Sequence, residues 1–331
     1  MDASQLAAFE TFGFLHLPSQ YSADEMAAVR READATLGAI EQEAQTAAGR
    51  AEGGLTSHWG RQAQKFVEES ALLTRWLVED DRVFSLVAAI LGEEDFVWTT
   101  SNHIEASPAG PEFPGRDGQP MREHGWHCDI AGVAEAAIKR VKVMFYLTPT
   151  TREKGALRVL PGTHTAAAQA NAGLRSLMGS HGMNTTLDEQ WAASTFGIPG
   201  DELPSHAIEA TPGDIVVWQL GLFHAVYNHA PDRRLLQLNF SSRPKNTEQW
   251  VSLWRNMSSG FRPHPKLLAH TNPKIRALCV APSTEEAAKL AAHYAEVEKS
   301  WPFPDVDINQ CHTSATWRER HGRVHWREAH L

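Results

Sequence analysis

Two kinds of hydrophobic pattern divide this chain and limit the folds that it can adopt. Before residue 95, apolar side chains recur at helical spacing, as in Met26, Val29, Ala33 and Leu37, which predicts amphipathic helices. After residue 95, short segments rich in β-branched and aromatic residues are separated by Gly, Pro and Asp turns, which predicts strands. Helices followed by a run of strands favour an α+β domain with a β-sandwich core over alternating β-α units.

Capping signals bound the predicted helices. Ser22 and Glu25 form a capping box at the start of the first helix. A second helical stretch is predicted over 64–91, and Gly92 is its stop signal. A further capping pattern begins a C-terminal helix over 283–301. Helices are therefore expected at both ends of the chain.

The predicted strands occupy the middle of the chain. The strand pattern covers five segments: 96–104, 140–147, 157–160, 215–218 and 234–240. We expect a single domain over 1–331 with its core at about 95–243. A polar insert at 165–205 is predicted to form a loop or lid, and 244–331 a C-terminal extension.

Charge and composition narrow the choice of partners. The chain has 331 residues and a net charge of −9, whereas nucleic acids and anionic membranes require a basic face. We therefore expect a small-molecule substrate, with neither nucleic acid nor membrane as partner.

Three cysteines without paired spacing argue against a disulfide framework. No apolar run approaches the ~20 residues that span a bilayer, and no signal peptide is evident. A cytoplasmic monomer or homodimer is the expectation.

A His-x-Asp pair is the strongest candidate for chemistry. Residues two apart on a strand point to the same side, so His127 and Asp129 can face one ion. His224 lies far along the chain, after a turn and an apolar strand. Two imidazoles and one carboxylate are the facial ligand set of non-haem Fe(II), which leaves the opposite positions open. His124 and His229 are the rival histidines, and we interpret both as structural or as neighbours of the ligands.

An arginine pair follows the second histidine. A dicarboxylate that chelates iron through its keto-acid end needs a cation for its far carboxylate, and arginine offers a planar, permanently charged fork. Arg233 and Arg234 are adjacent on a predicted strand and face opposite ways, so only one of them can point inward. A solvated Arg-Arg pair at the start of the strand is the alternative.

The order of these motifs resembles the phytanoyl-CoA dioxygenase family. The resemblance rests on five segments in sequence: His127-x-Asp129, Gly155-Ala-Leu-Arg-Val-Leu-Pro-Gly-Thr-His164, Gly213-Asp-Ile-Val216, His224-Ala-Val-Tyr-Asn228 and Arg233-Arg-Leu-Leu-Gln-Leu-Asn-Phe240. It covers about 95–243, together with the helix-Gly-strand pattern of Phe9–Leu17. The resemblance implies a double-stranded β-helix (jelly-roll, cupin-like) core with N-terminal helices and a C-terminal helical extension.

The resemblance also implies a ligand set and an activity. His127, Asp129 and His224 become the iron ligands. Arg233 becomes the 2-oxoglutarate anchor, by counting back from Phe240, and Arg234 is retained as the alternative because the spacing from Asn228 is one residue short. The implied cofactors are Fe(II), 2-oxoglutarate and O₂. The implied reaction is hydroxylation or another oxidation of a small organic molecule, with release of succinate and CO₂. His164 is interpreted as structural.

Two other functions remain open from the sequence. One is a non-catalytic cupin-like binding protein, and the other is a different metal-dependent cupin enzyme. The intact triad argues against the first, and the arginine argues against the second. His103 and Trp126 lie on or beside the metal-binding strands and are proposed to line the substrate pocket, with ordinary strand packing as the alternative for each. The His-rich C-terminal tail matches no metal-ligand geometry well and is interpreted as solvated.

Overall fold

A computed structural model describes residues 1–46, 61–105, 124–129, 138–171, 197–230, 232–246 and 265–279, together with 249–250, 253, 288 and 292. The helices are α1 (Ala3–Phe12), α2 (Ala23–Thr46), α3 (Phe66–Glu69), α4 (Ala71–Leu73), α5 (Asp81–Leu91), α6 (Ala166–Ala170), α7 (Pro265–Leu268) and α8 (Pro273–Leu278). The strands are β1 (Phe14–Leu17), β2 (Arg61–Gln64), β3 (Phe96–Glu105), β4 (His124–His127), β5 (Arg140–Tyr146), β6 (Leu157–Val159), β7 (His206–Ile208), β8 (Ile215–Gln219), β9 (His224–Val226) and β10 (Arg234–Ser242).

The strands form two antiparallel sheets. The major sheet has the order β1-β8-β5-β10-β3-β2, and the minor sheet has the order β4-β9-β6-β7. Apolar side chains from both sheets meet in one buried cluster, which includes Tyr146 and Leu235 from the major sheet and Val159 and Val226 from the minor sheet. The two sheets therefore face each other around a shared interior. The prediction of a double-stranded β-helix core with helices at both ends is confirmed.

The helices cover the outer face of the major sheet. Side chains at alternate strand positions, among them Val143, Val217 and Leu236, pack with residues of α2, α5 and α8 in a second buried cluster. Residues 235 and 236 thus point to opposite sides of one strand, as the two-residue period requires. This alternation decides which side chains of the major sheet can reach a site between the sheets.

The predicted caps occur where the sequence placed them. Ser22 donates its backbone N–H to Glu25 at 2.7 Å, and the backbone N–H of Glu25 donates to the Ser22 hydroxyl at 3.3 Å. Gly92 ends α5 in the left-handed conformation with φ 77°. A glycine adopts this conformation without the steric cost that a Cβ would bring.

The helical stretch predicted over 64–91 begins two residues later than predicted and is divided into short helical segments in its first half. Residues 61–64 form edge strand β2, which pairs with β3, and Lys65 has φ 53°, which separates β2 from α3. Ser70 then caps α4, and a π-helical turn over Thr74–Val78 precedes α5. The open edge of β3 supplies backbone hydrogen bonds that local periodicity cannot reveal.

Some predictions concern other parts of the chain. Most of the insert at 165–205, the predicted helix over 283–301 apart from residues 288 and 292, and the His-rich tail lie outside the described residues. A single domain over 1–331 accordingly stays a prediction. Within the described part of the chain, no helix is long and apolar enough to cross a membrane.

Candidate metal centre and active site

Two strands of the minor sheet bring the candidate metal ligands together. His127 ends β4 and lies directly opposite His224, the first residue of β9. Asp129 follows β4, and its backbone N–H donates to the carbonyl of Leu220 at 3.0 Å. The carboxylate thereby reaches the same side of the sheet as the two imidazoles. The three side chains are buried, with 3%, 8% and 4% of their residue surfaces exposed for His127, Asp129 and His224.

The ligand atoms converge on one point. Asp129 Oδ1 lies 4.0 Å from His127 Nε2, and Asp129 Oδ2 lies 3.8 Å from His224 Nε2. One ligand atom from each residue falls within 4.8 Å of the others. The Nδ1 atom of His224 is 2.8 Å from the carbonyl oxygen of Leu222. Because a carbonyl only accepts, Nδ1 carries the proton and the Nε2 lone pair is directed at the cluster.

The electrostatics keep this set in its metal-binding form. Burial raises the pKa of the Asp129 carboxyl, but the Lys142 ammonium and the two histidines lower it further, so the net pKa lies below its usual value. Burial, assisted by the charge of Lys142, lowers the pKa of His224. A carboxylate and a neutral imidazole are the protonation states that ligate metals. Two imidazoles and one carboxylate on one side fit a non-haem Fe(II) ion with open positions.

The Pro-Gly-Thr-His segment supports the strand that carries His224. The Thr163 hydroxyl accepts from the backbone N–H of Phe223 at 2.9 Å and donates to the Leu160 carbonyl at 2.8 Å. The Gln169 amide donates to the carbonyls of Thr163 and Gly221. His164 instead contacts the carbonyl of Glu10 at 3.2 Å and packs under α1. This segment holds residues 221–223 in place, and the structural interpretation of His164 agrees with its contacts.

The two arginines point to opposite sides of the major sheet. Arg233 is buried between the sheets, where its guanidinium carbon is 5.7 Å from the centre of the Tyr146 ring and its Nε donates to the Gly155 carbonyl at 2.7 Å. Arg234 points outward and pairs with Asp34 of α2 at 2.5 Å. Of these two arginines, Arg233 is therefore the one placed to bind an anion in the interior.

Gly155 makes room for this arginine. Its φ is 74°, and a Cβ at this position would lie 2.7 Å from Arg233 Cδ.

Burial and the charge of Arg233 together lower the pKa of His229 to about 3. At neutral pH His229 is therefore uncharged and does not compete with Arg233 for an anion. His229 thus lies beside the arginine and not among the ligands of the triad.

The structure corrects both pocket residues suggested by the sequence. His103 pairs with Leu236 in the β3–β10 register, which places it on the outer, helix-covered face of the major sheet. Its ring stacks on that of Phe66, with 4.9 Å between the ring centres. Trp126 packs with Cys128 and Phe223 on the outer face of the minor sheet and donates to the Gly200 carbonyl at 2.8 Å. Strand alternation turns each of these side chains away from the triad. Cys128 packs in the same cluster and also points away from the metal centre.

Sequence reasoning missed Lys142. Its Nζ lies 2.8 Å from Asp129 Oδ2, so it is the cation in direct contact with the triad. A signal was present, because Lys142 interrupts the apolar strand Arg140–Tyr146 at a position that alternation assigns to the same face as Met144 and Tyr146. A lysine on the interior side of a core strand requires a partner in that interior.

Comparisons with known proteins identify a family and a fold for this chain. The family model described as phytanoyl-CoA dioxygenase (PhyH) matches residues 9–234. Among solved structures, EctD from S. alaskensis with 2-oxoglutarate and 5-hydroxyectoine is 21% identical, with coverage of 73% of this chain and 76% of that chain and a TM-score of 0.50. HygX from Streptomyces hygroscopicus with nickel and 2-oxoglutarate bound is 16% identical, with coverage of 73% and 87% and a TM-score of 0.49.

A third similar structure is SnoK, a non-heme alpha ketoglutarate dependent carbocyclase from nogalamycin biosynthesis. It is 15% identical to this chain, with coverage of 73% of this chain and 84% of that chain and a TM-score of 0.49. A search of curated proteins found no match. At these identities the structural likeness concerns the fold alone.

Proposed function

This chain belongs to the phytanoyl-CoA dioxygenase family of Fe(II)- and 2-oxoglutarate-dependent oxygenases, and from that premise we propose that it hydroxylates a small organic molecule. Release of succinate and CO₂ accompanies the proposed reaction. The observation that carries the proposal is the convergence of His127, Asp129 and His224 in the same interior that receives the guanidinium of Arg233.

The proposed roles follow from the positions of these side chains. His127, Asp129 and His224 would hold iron, and the bond between His224 Nδ1 and the Leu222 carbonyl orients the imidazole for that purpose. Arg233 would bind the far carboxylate of 2-oxoglutarate through its two terminal nitrogens, because its Nε is already bonded to Gly155. Iron bound there with 2-oxoglutarate supplies the oxidation of a substrate C–H bond. The buried apolar cluster between the sheets limits access of water to the site.

Two alternatives are less well supported. A non-catalytic cupin-like protein has no need for three converging ligands, all of them buried. A different metal-dependent cupin enzyme has no need for a buried arginine facing the same interior as the metal ligands. The pairing of triad and arginine therefore favours the 2-oxoglutarate-dependent reaction.

Anaerobic titration with Fe(II) and 2-oxoglutarate tests the proposal. We expect the wild-type protein to develop the visible metal-to-ligand charge-transfer band of an iron-chelated 2-oxo acid. Asp129→Ala removes the one anionic ligand, and we expect it to lose the band. Asp95→Ala is the matched control, because that side chain is 68% exposed and pairs with Arg243, not with a residue of the triad. No band in the wild type, or an unchanged band in Asp129→Ala, would refute the proposed function.

A further inference from the structure

The interior face of the major sheet is polar beside the triad. Lys142 Nζ contacts Asp129 at 2.8 Å and lies 5.7 Å from the centre of the Trp218 ring. In the strand register, Lys142 pairs with Asn239, and Met144 pairs with Gln237. Gln237 in turn pairs with Asn102 on β3. One lysine and three amides therefore share a face, and we call them the polar patch: Lys142, Asn239, Gln237 and Asn102.

The amides of the polar patch have unused hydrogen-bonding capacity. Asn102 is 8% exposed, and its side-chain oxygen has no hydrogen-bond partner among the described residues. Within the described part of the chain, the Gln237 amide nitrogen reaches only the sulfur of Met144, at 4.0 Å. Buried polar groups are normally satisfied, and leaving one unpaired is costly. A ligand with polar groups would supply the missing partners, whereas a purely apolar ligand would leave them unpaired.

The charge of the interior indicates the sign of that ligand. In the proposed complex, Arg233 balances the negative charge of the far carboxylate of 2-oxoglutarate. The two charges of a divalent metal are balanced by Asp129 and the near carboxylate. Lys142 then has no counter-ion of its own among the described interior residues. Arg140 shares this face of β5, but it is fully buried and makes other interactions. A single uncompensated ammonium beside the metal fits one negative charge, and a monoanion balances it better than a dianionic phosphate does.

We propose that the polar patch is a second carboxylate-binding site and that the substrate is a small polar acid whose carboxylate binds Lys142. The amides of Gln237 and Asn102 hydrogen-bond the polar groups of the same molecule. This inference rests on the proposed function, since it assumes that metal and 2-oxoglutarate occupy the interior. It places the oxidised C–H bond within a few bonds of the acid group, because Lys142 touches a metal ligand.

Matched pairs of acids and amides test this assignment. The probes are benzoate with benzamide, hexanoate with hexanamide, and N-acetylglycine with its amide, each titrated anaerobically into the protein saturated with Fe(II) and 2-oxoglutarate. Perturbation of the charge-transfer band reports binding. For at least one pair we expect the wild type to bind the acid at least ~10-fold more tightly than the amide, the size of one charge-assisted hydrogen bond. Lys142→Met should abolish this preference and Lys142→Arg should retain it.

A second variant keeps the test independent of the lysine. Gln237→Met replaces one amide by a side chain of similar length, and we expect weaker binding of the acid with the same Kd for 2-oxoglutarate. If no acid is preferred in the wild type, or if the preference survives in Lys142→Met, the inference is wrong. A rise of more than ~10-fold in the Kd for 2-oxoglutarate in Lys142→Met also overturns it, since Lys142 would then hold the co-substrate carboxylate. Absence of the band in the wild type is a different outcome and refutes the proposed function itself.

Discussion

At the scale of single residues, the sharpest contrast lies between two adjacent arginines. Arg233 and Arg234 have the same chemistry, yet one is buried beside Tyr146 and the other forms an ion pair with Asp34 on the outer face. Sequence spacing left the choice of anchor open. The side of the strand that each residue faces separates them.

Neutralising each arginine in turn tests the anchor. We expect Arg233→Gln to raise the Kd for 2-oxoglutarate by ~10- to 100-fold, because a buried charge-assisted interaction is lost. Arg234→Gln is the matched control and should leave that Kd within ~2-fold, since it only removes partly exposed ion pairs. Titration of the charge-transfer band at saturating Fe(II) measures both. A larger effect from Arg234→Gln would reverse the assignment.

At the scale of elements, α3 is attached to β3 through a buried carboxyl group. Glu68 of α3 accepts from the backbone N–H of Ser101 at 3.1 Å and from the Ser101 hydroxyl. Burial is the main cause that raises the pKa of Glu68, from 4.5 to about 7, against the lowering effect of these hydrogen bonds. The folded protein therefore holds the Glu68 proton more tightly than the unfolded chain does.

Ionisation of Glu68 should lower the free energy of unfolding as the pH rises. The contribution of protonated Glu68 is fully present below about pH 4.5 and is lost as the pH rises through about 7. Glu68→Gln cannot ionise, so we expect its free energy of unfolding, relative to wild type, to increase by about 2 to 3 kcal/mol between pH 5 and pH 8.5. Urea unfolding across that range measures the difference.

The neighbouring residue provides the control for this prediction. Glu69 is exposed and pairs with Lys266 at 2.7 Å, so Glu69→Gln should leave the pH profile of the wild type unchanged. If Glu68→Gln follows the wild type at every pH, the carboxyl group is already ionised in the folded state. Ionised Glu68 would still accept the hydrogen bonds of Ser101, so the attachment of α3 would then not depend on pH in this range.

At the scale of the whole molecule, the metal site joins two strands of one sheet near the shared interior. A metal that binds only the folded state stabilises it by about 2.7 kcal/mol at a concentration of 100 times its Kd. We expect Co(II), as an air-stable substitute for Fe(II), to raise the Tm by roughly 4 °C for a chain of 331 residues. Differential scanning fluorimetry with and without EDTA measures this shift. Asp129→Ala should show no shift, and an equal shift in that variant would mean that Co(II) binds elsewhere.

The sequence by itself determined the class of fold and the ligand types. The change from helical to two-residue periodicity predicted an α+β fold, and five strand predictions match β3, β5, β6, β8 and β10. These features are local, since side-chain period and turn residues are written in neighbouring positions. The order of motifs around His127, Asp129 and His224 pointed to the oxygenase family for the same reason.

Tertiary structure alone decided which side of each strand faces the site. His103 lies on the outer face of the major sheet, and Trp126, although next to His127 in sequence, lies on the outer face of the minor sheet. Lys142 belongs to the other sheet from the ligand strands and yet lies beside the triad. The edge strand β2 also depends on pairing with β3, which no local pattern encodes. The register between strands and the packing of one sheet against another depend on residues that are far apart in the sequence. They turn a predicted pair, His127 and Asp129, into a site with a defined set of neighbours.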